Sequence, residues 1–100
     1  MDRRTNDIKR SDSAAGSPKQ ETEDELRRLI GERIAAARRQ AHLSQEELAQ
    51  GIGTHNWTVS RYETGRMFPR LLLLRRLSRV LGVSTDYLLG LDLRPPEGRP

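Results

Sequence analysis

The sequence predicts an all-α protein organised as one small domain, and three observations predict it. Apolar residues recur at helical spacing, as in Ile30, Ile34 and Ala37 and again in Leu48, Ala49 and Ile52. No stretch shows the alternation of a half-buried strand. Two capping boxes, Thr22 with Glu25 and Ser44 with Glu47, mark helix starts, because each pairs a hydroxyl with a carboxylate three residues on. A chain of 100 residues with a 34% hydrophobic share suffices for one core and hardly for two. The expected core consists of Leu26, Ile30, Ile34, Ala37, Leu43, Leu48, Ala49, Ile52, Val59, Leu71, Leu74, Leu77, Leu81, Val83 and Leu88.

The most informative stretch is Ser44 to Gly65, SQEELAQGIGTHNWTVSRYETG. Ser44 and Glu47 start a short helix whose inward stripe is Leu48, Ala49 and Ile52. Gly53 can enter the left-handed region and turn the chain. A second helix then runs from about His55 to Glu63. At about 100° per residue, Val59 sets its inward direction, with Tyr62 and Glu63 beside it, while Trp57, Ser60 and Arg61 point away. Two short helices about a glycine turn, the second with a polar outer ridge, are the arrangement of a helix-turn-helix that reads the DNA major groove. The outer side chains suit base edges: Arg61 offers a fork to guanine, Asn56 pairs with adenine, and Trp57 or Thr58 packs on a thymine methyl or a sugar.

From Ile30 to Gly90 the chain resembles the family of phage repressors, Cro and the Xre-type bacterial regulators. The resemblance rests on IGERIAAARRQAHLSQEELA, then GTHNWTVSRYETG with Pro69 four residues after Gly65, and LSRVLGVSTDYLLG, three blocks in the family's order. It implies a compact five-helix, lambda-repressor-like domain in which the second and third helices contact DNA and the fifth helps to form a dimer. Taken in order, the first helix is expected at about Glu23 to Ala41, opened by the Thr22 box. The second spans Gln45 to Ile52 and the third His55 to Glu63. The fourth runs from Arg70 to Leu81 and is stopped by Gly82; the fifth, Thr85 to Leu89, is capped by Ser84 and ended by Gly90. The domain is thereby expected at residues 22–90, between a disordered N-terminal arm (1–21) and a disordered C-terminal tail (91–100), which lack the apolar residues for a core.

Charge points the same way. The net charge is +4, and from Arg61 to Arg79 the chain carries Arg61, Arg66, Arg70, Arg75, Arg76 and Arg79 against one acid, Glu63. Arg66 and Arg70, next to the reading helix, are assigned to phosphates, and Arg75, Arg76 and Arg79 to a solvated face. Gln45, at the positive end of the second helix, is expected on a phosphate, where the resemblance also implies that it braces a side chain of the reading helix. A carboxylate at Glu63 would repel phosphate unless neutralised. The resemblance implies Arg38 as its partner in a structural ion pair.

Some positions depart from the family. His42 stands where glycine commonly ends the first helix, and His55 stands at a serine cap and is expected to face phosphate. Leu72 and Leu73 replace polar residues beside Leu71 and Leu74, so one side of the fourth helix is too apolar for a solvated face; dimerisation and a rotated helix both account for it. Neither histidine has neighbours at metal-ligand spacing, and no cofactor or metal is expected. The chain has no cysteine, hence neither disulfides nor thiolate sites. No secretory leader is evident, and Leu71 to Leu74 falls far short of the roughly 20 apolar residues that cross a bilayer. The expected location is cytoplasmic and nucleoid-associated.

No glycine-rich phosphate loop, nucleophile elbow or HExxH signature is present, so catalysis is not expected. The expected function is that of a sequence-specific double-stranded DNA-binding transcriptional regulator, a repressor that binds a palindromic operator as a homodimer. The alternative is an antitoxin or adaptor module that acts on a toxin or another protein partner.

Overall fold

The computed structural model describes residues 21–91, which form five helices: α1 (Glu23–Gln40), α2 (Gln45–Ile52), α3 (Asn56–Glu63), α4 (Leu71–Leu81) and α5 (Thr85–Leu88). No strand occurs among the described residues. The arm and tail expectations for residues 1–20 and 92–100 lie outside them.

Local chemistry sets the helix starts. Both capping boxes form: Thr22 Oγ1 accepts from the Glu25 amide while Glu25 accepts from the Thr22 amide, and Ser44 and Glu47 repeat the exchange. Ser44 thereby leaves the Gln45 and Glu46 amides at the open positive end of α2. Ser84 caps α5 in the same way, through the Tyr87 amide. His55 and Arg70 are the cap residues of α3 and α4, not their first turns, and neither side chain makes a cap hydrogen bond.

The helix ends share one device. After α3, the Gly65 amide donates to the Tyr62 carbonyl at 3.1 Å and the Arg66 amide to Arg61 at 2.9 Å, with Gly65 at φ 77°. The same pair of bonds closes α1, where the left-handed residue is His42, at φ 61°.

One core joins all five helices. Ile30, Ile34 and Ala37 of α1, Leu48, Ala49 and Ile52 of α2, Val59 and Tyr62 of α3, Leu73, Leu77 and Leu81 of α4, and Leu88 of α5 are buried together. Leu26, Leu43, Leu74 and Val83 are half-buried against them, as are Met67 and Phe68 of the loop before α4. α1 lies against α3, α4 and α5, and α2 lies against α3 and α4. Gly31 lets α1 and α3 approach closely: a Cβ there would sit 2.8 Å from the Glu63 carbonyl oxygen and nearer still to that of Tyr62.

α4 corrects the expectation for its first turn. Leu71 is not core but 82% exposed, and Leu73 is buried instead. Helix phase explains the exchange. Counting back from Leu77, Leu73 lies about 40° from its direction, whereas Leu71 and Leu72 lie about 120° and 140° away. The α4 helix is therefore rotated so that Leu73, Leu77 and Leu81 form the inward line, and the excess aliphatic surface appears at Leu71 and Leu72. Arg76 also departs from a simple solvated role, since its guanidinium donates to the Ile52 carbonyl at 3.1 Å and caps the end of α2. No helix of the described residues is long and apolar enough to cross a membrane.

Candidate nucleic-acid interface

The outer ridge of α3 is built by the burial of its inner one. Val59 is 0% and Tyr62 2% exposed, which fixes the inward direction between them. Trp57 and Arg61 then fall on the opposite side, about 40° apart across one turn. Trp57 is 57% exposed, and Asn56 and Arg61 are exposed beside it. Burying this indole would have given more apolar stabilisation than any other side chain in α3 could, so its position is imposed by the phase of Val59 and Tyr62.

Thr58 does not belong to this ridge. At 8% exposed it lies on the core side, one turn before Tyr62, so the expected base contact by Thr58 is withdrawn. With Tyr62 as fully inside as Val59, the centre of the inward face moves from Val59 toward Thr58.

Side chains of the ridge organise one another. The Arg61 guanidinium carbon lies over the Trp57 ring, 5.4 Å from its centroid. The His55 ring is nearly parallel to the indole, with 5° between the planes and 6.3 Å between centroids. Trp57, Ser60, Arg61, Thr64 and Arg66 line an open groove of about 350 Å³. The groove thus unites four expected residues with Thr64, which the sequence reading did not single out. Its hydroxyl donates to the Ser60 carbonyl at 2.9 Å at the end of α3, a local bond that helical phase does not reveal.

Behind the ridge, Glu63 is neutralised from α1. Arg38 meets it through two parallel bonds, Nε to Oε2 at 2.7 Å and Nη2 to Oε1 at 3.1 Å, and donates a third to the Leu43 carbonyl at 3.0 Å. The Glu63 side chain is only 7% exposed and that of Arg38 15%. The hydrogen bond to Glu63 raises the Arg38 pKa above its usual value, burial opposes the rise, and the charge of Glu63 adds to it. Gln45 Nε2 also donates to Glu63 Oε1, at 2.9 Å. The Gln45 side chain thus braces the last residue of α3, and the start of α2 sits beside the end of α3.

The loop after α3 is held by Arg27, another residue missed in the sequence. Its guanidinium donates to the Gly65 carbonyl at 3.2 Å, pairs with Asp24, and lies over the Phe68 ring at 5.2 Å. Arg66 follows directly and is exposed at the groove. Arg70 does not line the groove; it is exposed at the start of α4, close enough for its charge to oppose the upward push that burial gives the Tyr62 phenol. Among the described residues, no group of three His, Asp or Glu side chains could hold a metal ion.

The surface therefore offers forked and amide donors on a convex helix, flanked by the exposed Arg66 and Arg70, with its one carboxylate neutralised by Arg38. This chemistry fits the edges of base pairs between two phosphate strands.

Residues 34–88 match the family model described as helix-turn-helix. The chain is 39% identical over 61 residues to the SPbeta prophage-derived uncharacterized HTH-type transcriptional regulator YonR of Bacillus subtilis, covering 61% of this chain and 56% of that protein. It is 35% identical over 91 residues to a putative multi-protein-binding factor 1 of Yarrowia lipolytica, covering 91% of this chain and 54% of that one. Its structure is similar to that of the c2 repressor of Salmonella phage P22, solved in complex with a synthetic operator, with a TM-score of 0.61 and 36% identity over 63% of this chain and 96% of the other. The chain spans about half the length of the curated relatives it matches.

Proposed function

This chain belongs to the helix-turn-helix family, a family of non-enzymatic transcriptional regulators, and on that premise we propose that it binds double-stranded DNA in a sequence-specific way and represses transcription. Residues 22–90 act as the DNA-binding domain, in the cytoplasm and on the nucleoid. One observation carries the reading: α3 turns Trp57 and Arg61 to solvent while Val59 and Tyr62 anchor it, so the side chains able to read bases are the ones outside.

Asn56, Trp57, Ser60 and Arg61 face base edges, and His55, Arg66 and Arg70 serve phosphates. Gln45 contributes chiefly through the free amides at the start of α2, since its side chain is engaged with Glu63. The protein binds a palindromic operator as a homodimer, with two copies of α3 in successive major grooves about 34 Å apart. Repression follows by occlusion. The similarity to the P22 c2 repressor, whose structure was solved in complex with a synthetic operator, supports the DNA-binding part of this reading.

The test separates base from phosphate contacts. Arg61→Ala should lower affinity for an operator selected from random-sequence duplexes by about 1 to 3 kcal/mol and relax one base position, while Arg66→Ala should weaken operator and random duplexes alike and flatten the salt dependence. Equal losses of Arg61→Ala on both duplexes would refute the base contact.

A second reading, an adaptor or antitoxin module, draws on the similarity to a protein named as a multi-protein-binding factor and on the exposed Leu71 and Leu72. Enrichment of no sequence from random duplexes, together with stable co-purification of a second chain, would favour it.

A further inference from the structure

On the reading of α3 as the base-contacting helix, we propose that Trp57 is a positioning residue for specificity: its indole presents the Arg61 guanidinium to guanine. An arginine on an open helix face samples many rotamers, and a fork that must be found among them loses entropy when it binds. Here the search is shortened. Arg61 sits one turn after Trp57, and its guanidinium carbon lies over the indole at 5.4 Å from the centroid.

The holder is itself held. The His55 ring runs nearly parallel to the indole, at 5° and 6.3 Å, so the cap residue of α3 limits the swing of Trp57. Attraction of the guanidinium to a ring face uses none of its N–H donors, which leaves them available for the O6 and N7 of a guanine. Among the described residues the ion pairs engage Arg27 and Arg38, not Arg61. The exposed indole thus has a role that neither the core nor a simple surface position explains.

The experiment uses the 100-residue chain and a library of random-sequence duplexes. The readout is base preference at the position that Arg61→Ala relaxes. Trp57→Ala should reduce the guanine preference there by about two- to five-fold, the range expected for an exposed cation–π contact. Trp57→Phe should retain most of that preference, and Trp57→Ala added to Arg61→Ala should change that position no further. Because the indole is 57% exposed, these variants keep the fold. Retention of the guanine preference in Trp57→Ala, with all duplexes weakened alike, overturns the positioning role and leaves the base contact of Arg61 standing. If Arg61→Ala relaxes no position, the base contact itself fails, and the role of Trp57 with it.

Discussion

At the scale of single residues, backbone conformation and burial set the costs. His42 closes α1 with φ 61°, the only positive φ outside glycine among the described residues. A left-handed conformation costs an L-residue roughly 1 to 2 kcal/mol, and glycine regains part of that cost as extra entropy of the unfolded chain. His42→Gly should therefore stabilise the fold by about 1 kcal/mol, seen as a higher urea midpoint with an unchanged slope. Tyr62 makes a second prediction. Burial raises its phenol above the ordinary value of 10.0, and the charge of Arg70 only partly opposes this. The folded state thus holds that proton more tightly than the unfolded chain. Its stabilisation is complete below the unfolded value and is lost as pH rises through the folded one. As pH rises above about 10 the parent should lose more stability than Tyr62→Phe, and parallel losses in urea titrations would dismiss the effect.

At the scale of elements, the rotation of α4 decides which of four consecutive leucines matter. Leu73 lies in the line of Leu77 and Leu81 and is 6% exposed, whereas Leu71 is 82% exposed. Leu73→Ala should cost about 2 to 5 kcal/mol, while Leu71→Ser should stay within about 0.5 kcal/mol. Thermal unfolding of the two variants checks this directly, and a large loss for Leu71→Ser would restore the rejected phase. The same logic fixes α3: two inward residues, Val59 and Tyr62, set the direction of all the others. Thr58 is drawn inside by that choice and Trp57 is turned out by it.

At the scale of the whole molecule, one core and one polar junction make the five helices a unit. Arg38 of α1 binds Glu63 of α3 and the Leu43 carbonyl before α2, and Gln45 of α2 binds Glu63 as well. Arg38→Ala would leave a carboxylate that is 7% exposed without its partner, at a cost of about 3 to 5 kcal/mol. Replacing both members by apolar residues, Arg38→Met with Glu63→Leu, should recover most of that loss in urea unfolding. Equal and additive losses would mean that the pair is not coupled. Since the junction fixes α3 to α1, Arg38→Ala should also blur base preference.

Much of this was legible in the chain, because caps, turn residues and apolar period act over three or four positions. The Thr22 and Ser44 boxes, the glycine stops and the line of Leu48, Ala49 and Ile52 define their helices locally, and each helix bound agrees with the structure to within about one residue. The pairing of Arg38 with Glu63 came through resemblance, as the two stand 25 residues apart. What the tertiary structure alone decided was rotation and reach. Leu71 against Leu73, Thr58 against Trp57, and the hold of Arg27 on Gly65 depend on how neighbouring helices lie against each face. A period fixes which residues share a side of a helix, but only the packed partners determine which side is turned inward, because burial is a property of the assembled core.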